Sequence, residues 1–235
     1  HDATVSERLP WLALPALASV MLLAVTDHLC QDVAVVPFFW VVPLSLYLLS
    51  FIICFDSDIW YRRRIFSLLA TLAVFALCLL LLEDDIQSLL DKLKWETDFF
   101  DYMDNLAVEA AVYLLVLFLI CMLCHGELAR LRPSAGRLTE FYLMVGAGGA
   151  LGGVLVGLVC PQVFSSHVEI HIGLVAAFML SIGVVWDAFW STWLLRRFWR
   201  RCLVFGLGFL LLFVVVRAQF KSVQSTALLT LRNFY

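Results

Sequence analysis

The sequence has little charge for its size. Only 15% of its 235 residues are Asp, Glu, Lys or Arg, while 63% are hydrophobic. A soluble domain is about 25% charged and about 45–50% apolar, so this chain has more apolar residues than one buried core can hold. The excess indicates lipid as a second apolar solvent. The formal net charge of -3 lacks the positive excess of a nucleic-acid-binding protein, so we expect no nucleic acid among its partners.

The seven cysteines lack the spacing of a disulfide framework, and all lie in or beside apolar runs. We interpret them as small buried hydrophobic residues. A disulfide between Cys30 and Cys160, both predicted near the outer face, stays open. The sequence also lacks a signal-peptide pattern before its first hydrophobic run. Because it begins with His1, we expect a longer parent chain.

Hydrophobic runs of membrane length recur along the chain, and a transmembrane helix needs about 20 mostly apolar residues. We therefore predict an all-α fold, a polytopic bundle of about seven transmembrane helices within residues 1–220. Prolines in the second run predict a kinked helix there. The predicted spans are 9–28, 34–55, 65–82, 106–125, 139–160, 167–189 and 202–219.

The distribution of Lys and Arg predicts the orientation of these spans. Most of the basic residues fall in the N-terminal segment and in the loops at that same end of the spans. The N-terminus is therefore predicted on the cytoplasmic side of the membrane, and the C-terminus on the outer side. The arginines at the inner end are Arg8, Arg62, Arg63, Arg64, Arg130, Arg132, Arg137, Arg196, Arg197, Arg200 and Arg201.

The loop between spans three and four, EDDIQSLLDKLKWETDFFDYMDN, predicts a short amphipathic helix with an acid-rich polar face. Its apolar residues Ile86, Leu89, Leu90 and Leu93 share one helix face. This helix is a solvated cap over the bundle, or it lies on the membrane edge or meets a protein partner.

The stretch GAGGALGG lacks the third glycine of a dinucleotide-binding loop, and no Gly-Lys-Ser/Thr follows it as in a phosphate-binding loop. Its flanks continue one apolar run, so we place it inside the fifth span. We predict that Gly149, Gly153 and Gly157, with Gly146 one turn earlier, form the stripe where a neighbouring helix packs closest.

Ionisable residues inside spans are functional candidates because burying them in lipid is expensive. Near the outer face, Asp27, His28, Gln31 and Asp32 form one polar cluster. It could bind a proton, a metal or an organic cation. Equally, these residues could cap helix ends in a wet turn.

A second group lies at the inner end of span four, where Cys121-x-x-Cys124-His125 matches the haem c attachment pattern. Haem c is attached on the outer side of bacterial membranes, whereas the predicted orientation places this end inside. A non-covalent haem or metal at His125 is the more open interpretation.

Further polar residues have simpler interpretations. Glu127 and Glu140 flank a loop that contains Arg132, and we expect ion pairs at the membrane surface there. His167 and His171 would share a helix face and could hold a metal, although the sequence places no third ligand.

Three stretches together carry a family resemblance: LLAVTDHLCQDVAVVPFFWVVPLSLYLLSFIICFD, CHGELARLRPSAGRLTEFYLMVGAGGALGG and the terminal LRNFY. They resemble the membrane half of bacterial spermidine-synthase-like proteins, also described as fused major-facilitator/spermidine synthase proteins. In that family a segment like RNFY opens the aminopropyltransferase-like domain, so residues 221–235 resemble the start of a domain that the sequence does not contain. The resemblance implies that recurring motifs include His28, Asp32, His125, Glu127, Arg132, Pro133, Glu140 and Tyr142.

No catalytic residue is carried over, because the family's catalytic domain is not in the sequence. We therefore predict a non-catalytic integral membrane subunit, a structural or accessory component that meets lipid and other membrane subunits and requires no cofactor. The first alternative is a transporter or channel for polyamines or another cation, with Asp27 and Asp32 attracting the cation. The second is an electron-transfer subunit with haem at His125.

Overall fold

The computed structural model of the chain describes residues 5–30, 38–57, 59–80, 106–163 and 168–189. Within these ranges the fold is all-α, as predicted, and no strand occurs. The principal helices are α1 Val5–His28, α2 Phe38–Asp56, α3 Arg63–Leu80, α4 Leu106–Arg130, α5 Leu138–Val154 and α6 Val168–Phe189.

Among the residues that the structure describes, three segments are helical, long and apolar enough to cross a membrane, which indicates that the protein associates with one. They are Arg8–His28, Ala107–Arg130 and Ala135–Val159. Helices α2, α3 and α6 coincide with three more of the predicted spans. The predicted span 202–219 and the predicted amphipathic helix between spans three and four lie outside the described residues.

Helix α4 is the centre of the bundle, where it packs against α1, α2 and α3. Residues 119–128 are all buried. A helix that is apolar on every side must be surrounded by other helices, and the sequence of α4 has this character. Apolar side chains of α1 and α3 complete the largest core cluster, which includes Met21, Val25, Val74 and Leu77.

Contacts between helix ends define the relative directions of α1, α4 and α5. Arg8 near the start of α1 pairs with Glu140 near the start of α5, so these two helices run parallel. The start of α1 also reaches the segment after α4, while His28 at its end approaches Glu109 near the start of α4. Helices α1 and α4 are therefore antiparallel. One end of the bundle collects many of the arginines of the described residues, and we call it the basic end: Arg8, Arg62, Arg63, Arg64, Arg130, Arg132 and Arg137.

The closest contact between α1 and α5 is made by Gly148 and Gly152. A β-carbon at Gly148 would overlap the backbone carbonyl oxygen of Leu12, and one at Gly152 would overlap that of Ala16. Small residues four apart allow two helix backbones to approach this closely. The contact sets the spacing of the parallel pair.

The glycines that contact α1 most closely lie one residue before the predicted stripe. A β-carbon at Gly149 or Gly153 would make only ordinary contacts, the nearest being 3.5 Å from the Ser19 hydroxyl. At Gly146 and Gly157 it would meet no described atom within 4 Å. The stretch contains two parallel glycine rows of equal spacing, so periodicity cannot select which one faces α1.

Helix α5 does not end at Val154 but continues as a π-helix over Leu155–Val159 and a further turn over Cys160–Val163. The amide of Cys160 donates to the carbonyl of Leu155, five residues earlier. The next residue is Pro161, and because a proline has no amide hydrogen to continue the α-helical hydrogen bonds, it favours this local widening.

Candidate functional site

A buried carboxylate organises the basic end. Glu127, near the end of α4, is 8% exposed. Its Oε1 accepts hydrogen bonds from the Tyr61 hydroxyl at 2.9 Å, from Arg63 Nε at 2.8 Å and from Arg130 Nη1 at 3.2 Å. A buried charge must be paired and hydrogen-bonded, and these three donors meet that requirement. Glu127 thereby ties the segment before α3 to the end of α4.

Gly126 explains how the Tyr61 ring reaches this position. A β-carbon at Gly126 would overlap the Tyr61 ring, so the ring lies directly against the α4 backbone. Burial, reinforced by the adjacent Glu127 carboxylate, raises the pKa of Tyr61. The phenol therefore stays protonated and remains a hydrogen-bond donor to Glu127.

A second set of contacts holds α1 to the loop after α4. Arg8 pairs with Glu140 at 2.8 Å. The Trp11 indole donates to the carbonyl oxygen of Leu131 at 3.1 Å, and its ring meets Phe141 edge-on. Glu127 and Glu140, which flank the loop between α4 and α5, thus both make ion pairs. Glu127 is buried, and Glu140 is partly exposed.

Arg132, in the loop between α4 and α5, lines a cavity instead. The cavity has a volume of about 450 Å³ and lies between the segment before α3 and the end of α4. Three guanidinium groups face it, and its remaining walls are uncharged. Its lining residues are Cys54, Tyr61, Arg63, Gly126, Ala129, Arg130 and Arg132.

His125, two residues before Glu127 in α4, is fully buried. Its Nδ1 is 2.9 Å from the Ser50 hydroxyl, which lies 2.7 Å from the carbonyl oxygen of Tyr47. The Ser50 hydroxyl thus bridges His125 Nδ1 and the backbone of α2. Rings of Tyr47 and Phe51 approach it edge-on, at 4.8 and 5.2 Å between centroids.

The residues around His125 do not fit a haem. Its Nε2 is buried and has no hydrogen-bond partner among the described residues, so an iron could reach it only by displacing neighbouring side chains. Cys121 and Cys124 are fully buried in the continuous helix α4, where no thiol is presented for a thioether link. The described residues also contain no group of three or more metal-ligating side chains.

The predicted outer cluster is brought together only in part. His28 Nε2 lies 3.6 Å from a Glu109 carboxylate oxygen, and its ring packs against Tyr113 with 4.3 Å between centroids. Glu109 is a partner that the sequence reasoning did not identify. Asp27 lies beside His28 in α1, while Gln31 and Asp32 are outside the described residues.

The remaining residues predicted from the sequence do not join the Glu127, His125 or His28 contacts. His167 is outside the described residues, and His171 lies in α6. Cys30 and Cys160 are not joined by a disulfide. His28 and His125 lie towards opposite ends of α4, so they do not share a site.

The chain matches no family model, no curated protein and no solved structure.

Proposed function

We propose that the chain is a non-catalytic integral membrane subunit that docks into a larger membrane assembly. It forms a polytopic bundle of about seven spans in a bacterial inner membrane. The basic end faces the cytoplasm, following the tendency of Lys and Arg to stay on that side, which places the N-terminus inside and the C-terminus outside. The resemblance to the membrane half of spermidine-synthase-like proteins supports this proposal.

The observation that carries the proposal is the exposure of α5. Only 17% of its most apolar stretch is buried, against 39% for α1 and 50% for α4. The large side chains on its outer side are mostly aliphatic, and a patch of this kind marks a lipid or protein contact. They include Leu143, Leu151, Val154, Leu158 and Val159.

Small residues favour a protein neighbour at part of this surface. Gly146, Ala150 and Gly157 are exposed, and they lie on one side of the helix that continues from α5. Lipid tails are as apolar as leucine, so helices associate in membranes where small residues permit close packing. Gly148 and Gly152 already serve the contact with α1, which leaves this second row for another subunit.

The buried polar groups support a structural role over catalysis or transport. Glu127 is engaged by three donors, and His125 is held by Ser50. Transport pathways place polar and ionisable groups around a site near the bilayer midplane. The ionisable side chains of the described residues instead concentrate near the ends of the helices, with His125 enclosed by aromatic rings.

Substitutions on the exposed row test the proposal. Gly146→Leu and Gly157→Leu add bulk where the described bundle has open space, so the chain itself should fold normally. We expect affinity-purified variants in mild detergent to lose proteins that co-purify with the unmodified chain. Gly136→Leu makes the same change in the turn before α5 and serves as the control. Unchanged partner recovery in both α5 variants would reject docking through this surface.

A further inference from the structure

We propose that the cavity at the basic end binds a phosphate group, carried by an anionic lipid headgroup or by a soluble phosphate compound. Three guanidinium groups line the cavity, from Arg63, Arg130 and Arg132. Planar guanidinium groups match the geometry of phosphate oxygens and bind them in pairs of hydrogen bonds. The volume of about 450 Å³ leaves room for a phosphate with part of the group that carries it.

The charge of the lining favours an anion. The lining has three arginines and no acidic residue. Glu127, which bonds two of these arginines from outside the lining, offsets one positive charge. Arg132 makes no ion pair with a described residue. A phosphate in the cavity would therefore meet three arginines in a lining that holds no acidic side chain.

Two of the three arginines are positioned before any ligand arrives. Glu127 holds Arg63 and Arg130 from the same carboxylate oxygen, at 2.8 and 3.2 Å. The Tyr61 ring, lying on Gly126, fixes the segment that presents Arg63. Preorganised donors bind more tightly because less conformational freedom is lost on binding. The buried Glu127 network thus acquires a role beyond joining two helices.

Neighbouring side chains place the cavity at the level of lipid headgroups. Trp60 and Ile59, next to Tyr61, are 64% and 80% exposed. Exposed tryptophan beside a helix end is typical of membrane interfaces. Basic pockets between membrane helices on the cytoplasmic side bind phosphate-bearing lipid headgroups. The lipid source rests on the proposed membrane orientation, whereas binding of a soluble phosphate does not.

Native mass spectrometry of the purified full chain provides the test. The chain is exchanged into nanodiscs of phosphatidylglycerol with phosphatidylcholine, and the lipids that remain bound after release are identified. We expect one phosphatidylglycerol to be retained in preference to phosphatidylcholine. Arg132→Gln should weaken this retention about tenfold, the effect of losing one charge-assisted hydrogen bond. Arg62→Gln removes the same charge from an exposed arginine outside the lining and should change retention by less than about twofold.

A second variant separates filling of the cavity from loss of charge. Ala129→Leu keeps every charge but narrows the cavity, and it should reduce retention as Arg132→Gln does. Titration with inorganic phosphate then identifies the source. Binding to the lipid-free chain, lost in Arg132→Gln, assigns a soluble phosphate, and retention of lipid alone assigns the headgroup.

The proposal is overturned if the chain neither prefers phosphatidylglycerol nor binds inorganic phosphate. It is also overturned if Arg62→Gln weakens binding as much as Arg132→Gln, because a general surface charge would then explain the effect. Native mass spectrometry counts the ligand bound to the chain whether or not partner subunits are attached. The phosphate-binding result can therefore be interpreted even if the docking proposal fails.

Discussion

Replacing Gly152 with alanine should destabilise the bundle, while the same change at Gly153 should not. The β-carbon at position 152 would overlap the carbonyl oxygen of Ala16 and lie 2.9 Å from the Ser19 β-carbon. Backbone cannot rotate away as a side-chain tip can, so α1 and α5 must separate. At position 153 the nearest atom is the end of Leu23, 4.0 Å away.

The pair of variants isolates the overlap. Both replace a helical glycine with alanine, a change that stabilises a helix by about 0.5–1 kcal/mol in the absence of other effects. That gain cancels when the two variants are compared. The remaining difference is the overpacking at position 152, about 1–3 kcal/mol, with Gly152→Ala the less stable.

Unfolding by SDS titration in mixed micelles, followed by tryptophan fluorescence, measures both free energies. Circular dichroism before the titration checks that each variant starts with the same helix content. Equal stabilities would refute the close backbone contact at Gly152. A greater loss in Gly153→Ala would instead restore the row of glycines predicted from the sequence.

Three further predictions concern the buried polar contacts. Tyr61→Phe removes one hydrogen-bond donor from the buried Glu127 carboxylate and should lower the unfolding free energy by about 1.5–3 kcal/mol. An unchanged unfolding free energy in the SDS titration would contradict this hydrogen bond. Ser50→Ala leaves the buried His125 Nδ1 without its hydrogen-bond partner and should lower the unfolding free energy by about 1–3 kcal/mol in the same assay. Ser50→Thr, which keeps a hydroxyl, should lower it less. Trp11→Phe keeps an aromatic ring but removes the indole N–H that donates to the Leu131 carbonyl, so thermal unfolding in detergent should show a stability lower by about 0.5–1.5 kcal/mol. Unchanged stability would show that this hydrogen bond is not made.

The helices themselves could be predicted because their lengths follow from runs of apolar residues. The predicted spans 9–28, 106–125 and 139–160 overlap three helical segments that are apolar enough to cross a membrane. The clustering of arginines also follows from the sequence. They lie at the start of α1, between α2 and α3, and between α4 and α5, and these positions fall at one end of an up-and-down bundle. The position of each apolar run depends only on the residues within it, so a single sequence is enough to predict it.

The contacts between distant residues could not be predicted. Tyr61 and Glu127 are 66 positions apart, and no periodicity connects them. The choice between Gly152 and Gly153 depends on how α5 is rotated against α1, which two equally spaced glycine rows leave undetermined. Partners such as Ser50 and Glu109 were missed because isolated polar residues carry no motif.

The mass and composition of the particle extracted from native membranes test the docking proposal most directly. The chain would be solubilised in mild detergent after brief chemical cross-linking, then weighed and its components identified. We predict a discrete particle well above the 26.6 kDa of the chain, containing other membrane proteins cross-linked to α5. A particle that contains this polypeptide alone, in detergent that leaves other membrane complexes intact, would contradict the account.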